Sequence, residues 1–432
     1  MQHRKFNRIN IILLSSLIIL FFTASGNLFS EEAEKNNYDV AGKISTSSIF
    51  SKKILQGPHH KITEYAFTYD GVTNNFVINS EFGKFKAIGN GMVPVRIHEI
   101  NAIAEMAEMK NSKEFLGGLK ESAGTMAGSV KNLIVHPVDT VSGFPTGVYN
   151  FFANIGEVVK QTATGEMSVG QATKAGGSAV IGFSRNKREL GYRLGVNIYS
   201  DNKVLQENLN SVGWAITAGT FTVDFGKMLI PGAAGIALTV VGTTRTLGRL
   251  LKTNAPPELR RLNRAELEKI GVSKPVLEKF LANRKLTPRH QTAITLSLVS
   301  LKKTKNHEAF LNMVIENTDS IGDANMFQAV AAMIAAYNRT KVPITEIRTF
   351  ENVAIFRNKN GSYVITYPLD NFLWIKRTEG KAKRLINLLP AGEKKELWIS
   401  GKFSDLASTN MNKLGWILKD QAFKNLDLKN PY

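Results

Sequence analysis

The sequence predicts an α+β multidomain chain that is predominantly α-helical, with a small N-terminal β-meander plus helix, a central helical region and a small C-terminal α/β domain. Three observations carry this. Strand-like segments rich in aromatic and apolar residues lie between Tyr65 and Ile88 and are punctuated by glycine turns. From Pro94 to about residue 338 apolar residues recur at helical spacing. After Thr340, strand-like and helical segments alternate, the pattern of parallel pairing through helical crossovers.

The first residues read as a secretory signal. Arg4, Lys5 and Arg8 precede an apolar run from Ile9 to Phe22, and the small residues Thr23, Ala24, Ser25 and Gly26 follow. That run of 14 residues would reach about 21 Å as a helix, short of the ~30 Å hydrocarbon core. A signal peptide over 1–26 is therefore expected, with an uncleaved N-terminal anchor as the alternative. The expected location is exported, periplasmic or envelope-associated. The chain has no Cys, which excludes disulfides, a lipid-modified Cys and a thiol nucleophile. With 43% hydrophobic and 21% charged residues, the composition is that of a globular chain.

Element by element, residues 27–58 are polar and read as a flexible leader. Residues 59–110 form an α+β unit, with strands at 65–69, 75–79 and 82–88 and turns at Asp70-Gly71 and Gly89-Asn90-Gly91. In the last strand Phe82, Lys84, Lys86 and Ile88 share one parity and Gly83, Phe85 and Ala87 the other, a strand of mixed faces. From Pro94, residues Val95, Ile97, Ile100, Ile103 and Met106 fit a helix able to cover the sheet.

Residues 111–255 are a Gly/Ala-rich helical region. Apolar stripes from Leu116 to Leu133 and from Val148 to Val159 flank His136-Pro137; their faces suit packing on the protein's own core better than a membrane surface. A basic helix spans Asn186–Leu194, and Ser200 or Asp201 caps a helix to about Trp214. Residues 212–244 are apolar but divided by Asp224, Lys227 and Pro231, which favours two buried helices over a membrane-inserting hairpin. Pro256-Pro257 reads as a linker into a basic α-helical domain, 256–344, with helices at 263–270, 274–283, 288–302, 306–316 and 322–338. Residues 345–432 read as the α/β domain: a hairpin 353–357/363–367 through Asn358 to Gly361, strands at 372–376, 397–400 and 416–419, and helices at 379–389 and 404–414.

Several stretches resemble a family of uncharacterised exported bacterial proteins: FVINSEFGKF, SRNKRELGYRLGVNIYSDNKVLQENLN, RRLNRAELEKIGVSKPVLEKFLANRKLTPRHQT and KELWISGKF. The resemblance spans most of the chain after the signal and implies export, but it carries no activity, cofactor or catalytic residue. The stretch VKNLIVHPVDTVSGFPTGVYNF is similar to helical connector segments of large secreted bacterial toxins.

Charge supplies the functional expectation. The formal net charge is +19. Between Val241 and Asn306, 15 Lys and Arg stand against Glu258, Glu266, Glu268 and Glu278, a local balance of +11. We take Arg260, Arg261, Arg264, Arg284, Lys285 and Arg289 as candidate contacts for an anionic partner. Outside the cytoplasm that partner is an anionic envelope component or an acidic protein, with peripheral membrane contact also possible and nucleic acid disfavoured; a merely solvated helical surface is the plainer reading.

Catalytic patterns are sparse. None of the seven His has the one-turn spacing of a zinc protease. His59-His60 with Glu64 reads as a polar loop, and His98-Glu99 are helix neighbours that diverge. His136 and Asp139 lack a nucleophile, and no G-x-S-x-G occurs. Gly401-Lys402-Phe403-Ser404 lies where backbone amides could hold an anion. The four Trp are scattered and read as core. We assign no catalytic residue, metal site or cofactor, and expect a non-enzymatic binding or structural module. The alternatives are an enzyme of unknown reaction built around Asp370, Lys402 and Ser404 in the α/β domain, and membrane insertion through 212–244.

Overall fold

Alternation of buried and exposed residues builds the first sheet. In the computed structural model, residues 37–121, 178–219, 221–223 and 245–432 are described. Residues 1–38 form one unit and 39–432 another; the second is described below. The expected signal, the first part of the leader, the helical stripes beyond Glu121 and most of the 212–244 apolar segment lie outside the described residues.

The N-terminal sheet has strands β1 (Lys43–Ser45), β2 (Gln56–Gly57), β3 (His60–Ile62), β4 (Tyr65–Phe67), β5 (Asn75–Ser80) and β6 (Gly83–Ile88), ordered β1-β4-β5-β3-β2 with β6 also on β5. Every pairing is antiparallel. The sheet is larger than the expected meander because the polar leader contributes β1: Lys43 pairs with Phe67 and Ser45 with Tyr65. Polarity alone suggests a loop, but an antiparallel edge strand needs only one apolar face.

Ile62, Ala66, Phe76, Ile78, Phe85 and Ala87 point inward. They pack on the helix Met92–Asn111 through Val93, Ile97, Ile100, Ile103 and Met106. Helices Ser178–Arg193 and Lys203–Thr217 close the same core with Leu190, Leu205, Leu209 and Val212. The cap of the second is Asn202, whose side chain accepts the Leu205 N–H, one residue beyond the expected position.

Helices Arg245–Thr253, Pro256–Lys269, Lys274–Ala282, Pro288–Val299, His307–Asn317 and Ile321–Thr340 follow. The Pro256-Pro257 pair opens the second of these helices. Proline fits the first helical turn, where its missing N–H has no partner to lose.

The second sheet contains β7 (Ile344–Phe350), β8 (Val353–Asn358), β9 (Tyr363–Tyr367), β11 (Lys395–Ile399) and β13 (Trp416–Lys419), in the order β13-β11-β9-β8-β7. β7, β8 and β9 are antiparallel, and β9, β11 and β13 are parallel, as the strand–helix–strand alternation predicts. Phe372–Lys376 was expected as one strand. Only β10 (Asn371–Phe372) forms, beside β12 (Lys402–Phe403), because the helix Lys376–Leu388 starts sooner. The basic helices and this sheet share one core, in which Phe310, Phe327 and Tyr337 meet Phe356, Val364 and Trp398.

Candidate functional site

The outward face of the first sheet is left without a covering element among the described residues. Strand alternation that buries Ala66, Phe76, Ile78, Phe85 and Ala87 must turn their neighbours outward. Register then sets those neighbours in rows. Lys43, Phe67, Asn75 and Ile88 stand side by side across four strands. Val77 pairs with Lys86 in the next row, where Ser45 pairs with Tyr65. Lys61, Asn79 and Lys84 make a third.

This face is aromatic and basic together. Tyr65 is 42% exposed, Tyr69 75% and Ile88 60%. The Phe67 and Tyr69 rings stack at 6.1 Å and 8°. Lys43 Nζ lies 5.6 Å from the Tyr65 ring centre and 6.0 Å from that of Phe67, within cation–π range. Lys43, Lys61, Lys84 and Lys86 are exposed and have no ion-pair partner among the described residues. Two acids border the face. Glu81 is held by His59 Nδ1 at 2.6 Å. Glu64, hydrogen-bonded to the Tyr65 phenol, pushes that pKa up.

The candidates chosen from charge density do not gather in one place. Arg260, Arg261 and Arg264 lie on the helix Pro256–Lys269, and Arg284 and Lys285 precede the helix Pro288–Val299. Arg261 is paired with Glu258 at 2.7 Å, and Arg264 with Glu278 on the next helix. Lys285 Nζ donates to the Asp319 carbonyl at 2.5 Å. Arg260 and Arg284 are exposed and have no partner among the described residues. Arg289 is different: it is 6% exposed and lines a partly open cavity.

Of the residues proposed for an enzyme, Lys402 and Asp370 are backbone neighbours, the Lys402 N–H donating to the Asp370 carbonyl at 3.2 Å, but their side chains do not share one cleft. Asp370 is 5% exposed and borders a cleft with Asn90, Gly91, Ser400, Asn430 and Tyr432. Lys402 and Ser404 do not line it. Ser404 Oγ caps the helix Asp405–Lys413 by accepting the Ala407 N–H, and it donates to Asp39. His59 and His60 face different partners, Glu81 and the Ile54 carbonyl. No group of three or more His, Asp or Glu able to hold a metal occurs among the described residues. No described helix is long and apolar enough to cross a membrane. All four Trp are buried.

No single strand's alternation marks the aromatic face, because several strands build it together. Tyr65, Phe67 and Tyr69 alternate with buried Ala66 and Thr68, as Lys84, Lys86 and Ile88 alternate with Phe85 and Ala87. Laying the two alternations together was the signal that could have found it. No family model, curated protein or solved structure matches the chain.

Proposed function

We propose that the protein is a non-catalytic, exported binding module of the cell envelope that holds an acidic polysaccharide on the outer face of its N-terminal sheet. The observation that carries this reading is the Lys43–Tyr65–Phe67–Tyr69 cluster, flanked on the same face by Lys61, Lys84 and Lys86. Aromatic faces stack on the apolar faces of sugar rings, and unpaired ammonium groups meet carboxylates without first having to leave a protein partner. Arg260 and Arg284, exposed and unpaired among the described residues, add to the positive field that draws the polymer in. Export, read from residues 1–26, favours a glycan over nucleic acid.

The test is retention on immobilised polygalacturonate, with neutral dextran and single-stranded DNA as the other arms. Polygalacturonate binding that falls steeply with added salt is expected, because exposed charges more than a Debye length apart, about 10 Å at 0.1 M, are screened. Binding to DNA but not to polygalacturonate, or binding insensitive to salt, overturns the proposal.

A further inference from the structure

We propose a second binding site, separate from the sheet face: the partly open cavity around Arg289 takes a small organic carboxylate, with the acid group on the Arg289 guanidinium and an apolar tail against Val95, Ile198, Leu251 and Ile321. The cavity lies where the first turns of Pro288–Val299 and Ile321–Thr340 meet the helices Met92–Asn111, Ser178–Arg193 and Arg245–Thr253. Its volume is about 90 Å³. At roughly 10–15 Å³ for each water-sized position, that is room for about six to nine heavy atoms.

The charges around it do not balance. Arg289 has no hydrogen bond or ion pair among the described residues, and burial alone pushes its pKa down to about 10, which leaves it charged at neutral pH. A buried guanidinium without a partner is costly to a fold. Arg188, also on the wall, donates Nε to the Lys252 carbonyl at 3.2 Å and has no acidic partner. Lys252 is neutralised by Glu189 at 3.0 Å. The two acidic side chains on the wall are committed elsewhere. Glu99 and Asp201 both pair with Arg96, at 2.6 and 2.8 Å. The acidic side chains on the wall are thus engaged by Arg96, and Arg289 is left without one.

Three of the remaining polar groups carry donors, while His98 Nδ1 is a buried acceptor without a partner among the described residues. Burial pushes His290 down to about 4, so it is neutral. Its Nδ1 accepts the Thr287 N–H at 3.2 Å, which places the ring proton on Nε2, facing Asn325 Oδ1 at 3.0 Å. The Asn325 amide is oriented by this bond, with its NH2 turned away from His290. Tyr199, its pKa pushed up to about 12 by burial, keeps its hydroxyl proton beside the cavity. One guanidinium, one amide and a phenol suit a planar monoanion, and the apolar wall suits its tail.

The test is calorimetry of the full chain with pentanoate, which has seven heavy atoms, and with inorganic phosphate, both at millimolar concentration. Pentanoate is expected to bind and phosphate to bind more weakly or not at all. Arg289→Met should weaken pentanoate roughly 10- to 100-fold, the worth of hydrogen bonds to a charged group. Leu251→Trp, which fills the apolar end and leaves the guanidinium in place, should weaken it as well. Without ligand, Arg289→Met should unfold at the same or a higher temperature than the parent, because it removes an unpaired buried charge. Absent pentanoate binding, phosphate preferred over pentanoate, unchanged binding in Arg289→Met, or an Arg289→Met chain that is less stable or fails to fold would each overturn the proposal.

Discussion

Asp370 accepts the backbone N–H of Asn74 through one carboxylate oxygen and that of Asn90 through the other, each at 2.8 Å. A residue just before β10 is thereby seated against the turns that bracket β5 and β6, nearly three hundred positions earlier. Asn371 Nδ2 reinforces the junction by donating to Asn74 Oδ1 at 2.6 Å.

The pH dependence of stability follows from this seat. Burial pushes the Asp370 carboxyl up to about 7; the two N–H groups pull the other way, and Asp70 adds to the rise. The folded chain holds this proton to higher pH than the unfolded chain does. Its contribution is therefore fully present below about pH 4 and lost as pH rises through about 7, on the order of 4 kcal/mol in all. His98 and His290, held low by burial, act in the opposite sense below their unfolded pKa. The readout is thus the difference between the parent and Asp370→Asn in urea midpoint. The parent should lose ground relative to the variant between about pH 5 and about pH 8. Parallel profiles would refute this account of Asp370.

A second prediction concerns the ion pair inside the N-terminal core. Arg96 Nη1 meets Glu99 Oε2 at 2.6 Å with both residues almost fully buried, and Arg96 Nη2 meets Asp201 at 2.8 Å. Ser200 Oγ and Asn202 Nδ2 donate to the Glu99 carboxylate at 2.5 and 3.0 Å. This network fixes the turn that starts the helix Lys203–Thr217 against the helix Met92–Asn111. Arg96→Met leaves the buried Glu99 without a cation and should cost about 3–5 kcal/mol, whereas Glu99→Leu leaves Arg96 with Asp201 and should cost less. The double variant should cost clearly less than the two singles together, as a denaturation double-mutant cycle would measure. Strict additivity would mean that the two side chains act independently.

The sequence made local structure legible and left its long-range use hidden. Thr287-Pro288 marks a helix start that the structure keeps, with Thr287 accepting the His290 N–H. The hairpin at Asn358 to Gly361 is likewise local: Asn358 Oδ1 accepts the N–H groups of Asn360 and Ser362, and Gly361 takes φ +87°. By contrast, Arg289 counts as one basic residue among many in a charge tally, although Arg261 is a salt-bridged surface group and Arg289 a buried unpaired one. Formal charge carries no information about burial. The sheet face needed the pairing of Lys43 with Phe67, and register between distant strands is set by packing that no local pattern reports.

Gly401 tests a local reading against a tertiary one. Its place between β11 and β12 suggests a backbone nest for an anion. In the fold it makes room for the chain: a Cβ built there would overlap the carbonyl oxygen of Asp370, and Gly401 N donates to the Leu369 carbonyl at 2.7 Å. Backbone cannot give way as a flexible side chain can. Gly401→Ala should therefore destabilise the protein by about 3 kcal/mol or more and disturb the Asp370 seat with it. A thermal midpoint close to that of the parent would show that the close approach is dispensable.

The exposed sheet face separates binding from stability. Tyr65 and Phe67 lie on the solvent side of β4, and their loss opens no cavity in the core formed by Ala66, Phe76 and Ile78. Tyr65→Ala and Phe67→Ala should change folding stability by about 0.5 kcal/mol or less. Retention on an acidic glycan should nevertheless fall about fivefold or more for each, given the ~1 kcal/mol or more that an aromatic face contributes by stacking. Lys84→Gln with Lys86→Gln removes charge and leaves the rings untouched. That variant should flatten the salt dependence of binding more than it weakens binding at high salt. If the aromatic variants bind as the parent does while the lysine variant does not bind, the face works as a charged patch alone and the stacking role assigned to Tyr65 and Phe67 fails.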